Sequence, residues 1–376
     1  MDTNNYIGSF AQENVSFQTM VEESSSFGEN MMSTMVFTDK ALISDESILE
    51  AVDGSTTVKA GVVTADDFGS ATTGILQSWL ADLFASGSIY KAYLVTVDGT
   101  DVVLDATTLA EAYDLLKPYA YFKTVCPADA TDATALDNTR FATLASALAP
   151  LCAADKQVLS SPVIAPYSGD GTDLSTNAVY TALKGKFVFM SHCPDATRNA
   201  ALFAVGKALS TIAAGTSGTP VGNQFEMWKT NSMVKSGLSK TVRTTLNDAN
   251  IQTWKPIGDN SSYVAAEGGY TLNGEYMQGL WIVARVTYMA KVDIAKYMTS
   301  PNVFKNATSY AAILSLLSDR LREHKGVLAD ITITAPGYGD LPSSDADTLI
   351  IPNAWTARLP LTLKHVTISG TLYIGD

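Results

Sequence analysis

Residues 158–195 read VLSSPVIAPYSGDGTDLSTNAVYTALKGKFVFMSHCPD. Val158–Ala165 and Phe187–Ser191 are apolar runs of strand length, the Gly/Asp-rich stretch 168–173 supplies a turn, and Thr176–Leu183 between the two runs reads as a helix. Strand, turn, helix and strand in this order build a sheet with helices layered on it. The same alternation extends in both directions. Towards the N-terminus strands are predicted at Met35–Thr38, Val58–Val63, Tyr90–Val97 and Tyr121–Val125, and helices at Thr73–Ala85, Leu109–Leu116 and Arg140–Ala153. The first of these helices puts Ile75, Trp79, Leu80 and Leu83 on one face, the spacing of a helix seated on a core. On the other side a helix is predicted over Asp195–Ala213, with Asp195 as its N-cap. The fold class is therefore α/β (α+β), and the short strands predict a sheet of modest size.

Gly215-Thr-Ser-Gly-Thr-Pro-Val-Gly222 breaks the alternation and reads as a connector. Beyond it Phe225–Leu246 and Tyr270–Met298 are predicted to be mainly helical, the second apolar on nearly every side and hence deeply buried. Arg285, Lys291, Asp293 and Lys296 interrupt the apolar run Met277–Met298, which makes it a core helix rather than a membrane span. Ala307–His324 carries Tyr310, Ile313, Leu314, Leu317 and Leu321 on one face and is stopped by Gly326. A strand over Val327–Thr334 and a polar loop over Ala335–Thr348 follow. In the tail, Leu359, Leu361 and Leu363 alternate with other residues; after a change of phase at Lys364-His365, Val366, Ile368, Leu372 and Ile374 alternate on even positions. That is the period of a strand with a bulge or bend, and such a strand must close its own sheet or complete a neighbour's. The expected organisation is an extended N-terminal arm (1–32), an α/β region that includes any outward-facing insertion (33–214), a C-terminal helical and strand core region (215–358) and a C-terminal β arm (359–376).

Composition excludes several classes. The chain has 376 residues, 46% of them apolar, and only 17% charged, against roughly 25% in an ordinary soluble domain. That apolar content is too high for disorder. A formal charge of −13 repels phosphate, so no nucleic acid is expected as a direct partner. Residues 1–188 hold 9 basic and 24 acidic side chains, and residues 189–376 hold 16 and 14, so the net negative charge belongs to the N-terminal half. This division predicts an acidic half facing solvent and a near-neutral half facing neighbouring protein, where unpaired charge would cost desolvation. Residues 1–20 lack the basic and apolar regions of a secretory signal, and no membrane partner is expected. Three cysteines, Cys126, Cys152 and Cys193, are too few for a disulfide scaffold or zinc ribbon, consistent with reduced, cytosolic production.

Candidate chemistry is sparse. His192-Cys193-Pro-Asp195 sits where a strand meets a helix, a place where a dipole could activate a thiol, but sequence neighbours on a strand point to opposite sides. Ser232-Met-Val-Lys235 has the Ser-x-x-Lys spacing of acylating enzymes without their companion motifs. His192, His324 and His365 are far apart, with no metal-binding pair, and the Asp170/Asp173 loop lacks an EF-hand's register. Arg320, Arg322 and Lys325 complement the dipole at a helix end, or form a small basic patch for an acidic neighbour. No catalytic, cofactor or metal residue is assigned, and no cofactor is expected.

The order of arm, Phe27-Gly28 element, short strand, long α/β middle, buried helix, amphipathic helix, strand and β tail resembles that of contractile tail sheath proteins of bacteriophages and related injection machines, as does the tail Arg358-Leu-Pro-Leu-Thr-Leu-Lys-His-Val-Thr-Ile-Ser-Gly-Thr-Leu372. The modest middle departs from the largest sheaths, whose added outer domains are expected to be missing. The resemblance implies a non-enzymatic virion protein, made in the host cytoplasm, that polymerises helically around a tail tube and contracts to drive the tube through a host envelope. Its partners would be further copies of itself, the tail tube protein, and baseplate and tail terminator proteins. It also implies arms that add strands to neighbouring subunits, with Val366, Ile368, Leu372 and Ile374 in the C-terminal interlock and Tyr6, Ile7, Phe10, Val15 and Phe17 as apolar contacts of the N-terminal arm. The alternatives are a tail tube or capsid component, or an α/β hydrolase using Cys193 or a carboxylate pair.

Overall fold

A computed structural model describes residues 34–38, 58–64, 74–85, 91–97, 106–116, 122–126, 138–154, 161–195, 198–205, 228–229, 238–257, 260–300, 303–323, 329–344, 349–351 and 354–358. In chain order the first half contributes β1 (Thr34–Thr38), β2 (Val58–Thr64), α1 (Gly74–Phe84), β3 (Lys91–Val97), α2 (Ala106–Leu116), β4 (Phe122–Cys126), α3 (Asn138–Ala154), β5 (Val163–Tyr167), α4 (Ala178–Leu183) and β6 (Val188–His192). The second half contributes β7 (Trp228–Lys229), α5 (Lys240–Asp248), β8 (Ile251–Ile257), β9 (Asn260–Glu267), α6 (Met277–Met298), α7 (Ala307–Glu323), β10 (Ala329–Ile333) and β11 (Trp355–Arg358).

Nine strands form one sheet in the order β2-β3-β1-β4-β5-β6-β8-β9-β7. From β3 to β8 all neighbours are parallel, and the flanks β2–β3, β8–β9 and β9–β7 are antiparallel. The parallel centre is buried: every residue of β4 and β6 is buried, as expected of strands covered on both faces. α2 packs on α3, and α3 on α4. The α1 stripe behaves as its spacing predicts, with Ile75, Trp79, Leu80 and Leu83 buried and the Trp79 indole meeting Phe141 of α3 edge-on at 6.0 Å. On β4 even Lys123 is buried, its ammonium 5.7 Å from the centre of the Tyr113 ring.

The α/β alternation over residues 34–205 agrees with the sequence reading, while several boundaries and the second half differ. The fifth strand begins at Val163, because Pro162 has no N–H to give a neighbour. Pro166 is tolerated further along because β4 pairs only with Val163 and Ile164. Asp195 is not the cap of the following helix. That helix is described over 200–205, and Asn199 caps it, its Oδ1 accepting from the Leu202 N–H at 3.1 Å. The predicted helix Phe225–Leu246 contains β7 and, at its C-terminal end, most of α5, which Ser239 caps by accepting from Val242 N–H. The sheet is larger than predicted because the β8–β9 hairpin extends it. Ile251, Gln252, Thr253 and Trp254 are all buried, so β8 shows no alternation, and Lys255-Pro256 reads as a break. α6 starts at Met277 rather than Tyr270, and its last turns are buried on one side only: Ile294 and Ala295 are inside, and Lys296 is exposed.

Candidate functional site

The C-terminal elements are tied to the sheet through the turn that precedes α6. The turn preceding α6 is built on Thr271, which is buried, bonds its N–H to Glu275 O at 2.8 Å and accepts the Glu275 N–H on Oγ1 at 2.9 Å. The rings of Tyr270 and Tyr276 close the turn at 5.1 Å, and Leu272 N–H reaches Val188 O at 2.8 Å, which hangs the start of α6 on β6. Arg243 of α5 fixes the end of β9 by bonding Glu267 at 2.8 Å and Leu238 O at 2.9 Å.

α7 runs beside α6. Asn306 caps it by accepting the Ser309 N–H at 2.9 Å, and its buried stripe is Ser309, Tyr310, Ile313, Leu317 and Leu321. A fully buried leucine contributes roughly 1.5–3 kcal/mol, so this stripe holds the helix in place. Leu314 is only partly buried, at the margin of the predicted face. Arg320 crosses to α6, bonding both oxygens of Asp293, with Nη2 to Oδ1 at 3.0 Å, and also reaches Glu323 at 2.8 Å. These carboxylates push its guanidinium further above its ordinary pKa. Arg322 pairs with Asp319. The anticipated basic patch is thus neutralised at Arg320 and Arg322 by carboxylates of the same helix pair, while Lys325 lies outside the described residues. A groove of about 550 Å³ between the two helices is lined by Asp293, Lys296, Tyr297, Ala312, Ser315 and Leu316.

Beyond α7, β10 and β11 make an antiparallel ribbon with Ala329 opposite Arg358 and Ile333 opposite Trp355. The register shifts between Ala329 and Thr332, next to Asp330 at φ 51°, the irregularity expected at a bulge. Thr334 N–H bonds Ala354 O at 3.1 Å, and Ala354 and Ile351 anchor the return strand in the core. Among the described residues neither outer edge of this ribbon pairs with a third strand. The sequence marks β11 only weakly, through Trp355 and Ala357 alternating with Thr356 and Arg358.

All nine anticipated interface residues, Tyr6, Ile7, Phe10, Val15, Phe17, Val366, Ile368, Leu372 and Ile374, lie outside the described residues, as do Ser232, Lys235, His324 and His365. The candidate nucleophile is placed. Cys193 is buried, its thiol contacts Asp195 O at 3.2 Å, and burial pushes its pKa up to about 12. His192 is also buried, its ring 6.3 Å from Tyr167, and burial lowers its pKa to about 4. A thiol held neutral is not an activated nucleophile. In the 169–173 loop Asp170 caps its own turn, accepting Thr172 N–H at 2.9 Å, and Asp173 accepts the Tyr167 hydroxyl at 2.7 Å. Among the described residues no group of three metal-binding side chains comes together. No described helix is long and apolar enough to cross a membrane.

No family model matches the sequence, and no curated protein matches it. Solved structures do. A chain of the anti-feeding prophage baseplate aligns with a TM-score of 0.63 at 13% identity, over 92% of this chain and 94% of that one. A chain of the PVC sheath complex of an extracellular contractile injection system, in its contracted state, aligns with a TM-score of 0.61 at 13% identity, over 91% and 92%. A chain of the anti-feeding prophage baseplate in its contracted state gives 0.53 at 14% identity, over 90% and 93%. The chain shares the fold of these contractile-injection-system subunits along nearly its whole length.

Proposed function

We propose that this chain is the subunit of a contractile sheath, a structural protein that polymerises helically around a tail tube and contracts to drive that tube through a host envelope. The observation that carries the reading is the β10–β11 ribbon, open on both edges among the described residues and leading at Arg358 into a tail with strand periodicity. An open edge is a template for a strand from another chain. A ribbon on one copy and arms from others are non-identical patches, and such head-to-tail contact propagates as a helix when its rotation does not close into a ring. The fold likeness to a sheath-complex subunit over nine-tenths of both chains supports the same reading.

In this reading residues 1–32 and 359–376 are the interlocking arms, with Tyr6, Ile7, Phe10, Val15 and Phe17 in one and Val366, Ile368, Leu372 and Ile374 in the other. Residues 33–214 are the α/β body and 215–358 the region that faces lattice and tube. Tube, baseplate and tail terminator proteins are the partners, and the particle is a phage tail or a related injection machine. Contraction draws on energy stored in the assembled lattice, so it needs no nucleotide. Electron microscopy of the purified protein, alone and with its tube protein, tests the reading. Tubes that shorten and widen on mild denaturation are expected; failure to form tubes under either condition overturns it.

A further inference from the structure

We propose that the α6–α7 hairpin is a second lattice contact, with Phe304 at its tip seated in the groove between α6 and α7 of the next copy. This rests on the sheath reading above. Phe304 is 64% exposed, the one exposed large apolar side chain among the described residues. Single apolar residues on a surface are ordinary; what sets this one apart is how firmly its loop is held. Lys305 Nζ donates to Ser344 O at 3.1 Å and to Ser344 Oγ at 2.9 Å, and the Tyr338 hydroxyl donates to Lys305 O at 2.8 Å. The Tyr310 hydroxyl reaches Pro336 O, and its ring lies 5.8 Å from that of Tyr338. A ring presented on a pre-ordered knuckle loses little entropy on docking.

The groove offers what such a knob requires. Tyr297, Ala312 and Leu316 give it apolar walls, and its volume of about 550 Å³ falls in the range of ligand-sized pockets. Charge selects the occupant. Asp293 is already engaged by Arg320, whereas the exposed Lys296 ammonium has no ion-pair partner among the described residues. On the knuckle, the turn Tyr338–Asp340 that grips Lys305 ends in Asp340, an exposed carboxylate likewise without an ion pair among the described residues. A ring beside an anion on one face thus matches an apolar groove beside a cation on another. Knob and groove are different patches, so the contact passes head to tail from copy to copy rather than ending at a dimer.

The test uses the full chain with Phe304→Cys and Ser315→Cys together. The native thiols, Cys126, Cys152 and Cys193, are all buried and leave the background low. Oxidation of assembled tubes is expected to give a ladder of cross-linked multimers from the double variant and none from either single one. Normal tubes without cross-links, or cross-links that stop at a dimer, overturn this contact while leaving the sheath reading intact; a wild-type protein that forms no tubes overturns both. Charge reversal supplies an independent arm. Lys296→Asp is expected to raise the concentration needed for tubes by up to about fivefold, the reach of a rim ion pair, and adding Asp340→Lys should restore it. Absence of restoration rejects the pairing.

Discussion

Arg198 Nε donates to Asp82 Oδ1 at 2.7 Å, joining the last turn of α1 to the segment after β6. The Asn199 N–H adds a bond to the other carboxylate oxygen at 2.8 Å. The two partners are unequally placed: the Asp82 side chain is 0% exposed, and that of Arg198 is 26% exposed. Removing the arginine therefore strands a buried charge, whereas removing the aspartate leaves a cation that water reaches. Arg198→Ala is expected to cost about 3–5 kcal/mol in denaturant unfolding, and Asp82→Leu less. Burial pushes the Asp82 carboxyl above its ordinary range in the folded protein, even against Arg198 and Asn199. The folded state then holds that proton more tightly, so the group's contribution to stability falls as pH rises through the window above the unfolded pKa. The deficit of Arg198→Ala should accordingly shrink as pH is lowered towards about 4; a deficit independent of pH would show that Asp82 is not the stranded group.

His192 makes the opposite pH prediction. It is 3% exposed, and burial lowers its pKa from 6.5 to about 4. Between those values the unfolded chain binds a proton that the folded chain refuses, so stability rises with pH across the window and is lost on acidification. The loss from this one group is about 3 kcal/mol by pH 4. His192→Phe keeps the ring against Tyr167 and is expected to flatten that part of the stability profile. An unchanged acid slope in urea melts would place the proton uptake elsewhere.

The cysteine form of the hydrolase alternative is tested at Cys193. With the thiol buried and its pKa at about 12, a disulfide-exchange reagent at pH 8 should label it only as fast as the native protein opens. Labelling of all three cysteines is expected to accelerate together in denaturant. A fast single-site reaction that Cys193→Ala abolishes would restore the nucleophile as a serious candidate.

The parts of this fold visible in the sequence are those where burial is one-sided or runs are bounded by clear turns. α1 and α7 show their stripes because one face of each meets the core, and β3, β4 and β6 stand out as short apolar runs between helices. The β8–β9 hairpin was hidden for the opposite reason: with Gln252 and Thr253 buried beside Ile251 and Trp254, neither polarity nor period marks a strand. Asp195 is an ordinary capping residue in an ordinary place, and only the three-dimensional path of the loop transfers that role to Asn199. The Asp293–Arg320 bracket spans two helices, so the sequence shows two charges on a helix pair without showing that they meet. The ribbon was half legible, through β10, while β11 is four residues long and follows a Pro-containing stretch.

The sheath reading makes its sharpest prediction about the phase of the tail. Val366, Ile368, Leu372 and Ile374 share one face of any strand formed there, and Thr367 and Thr371 share the other, because side chains alternate with period two. If that strand completes a neighbour's ribbon with its apolar face inward, Ile368→Asp should abolish long tubes while Thr367→Asp, one residue away and of the same new charge, should leave them. Deleting 1–20 or 360–376 should likewise give monomers by sedimentation, with the thermal unfolding of the body unchanged, since an arm that serves other subunits contributes nothing to its own. Normal tubes from both deletions would reject the interlock. Equal damage from Ile368→Asp and Thr367→Asp would keep the arm but reject the strand, since only a period-two structure distinguishes adjacent positions in this way.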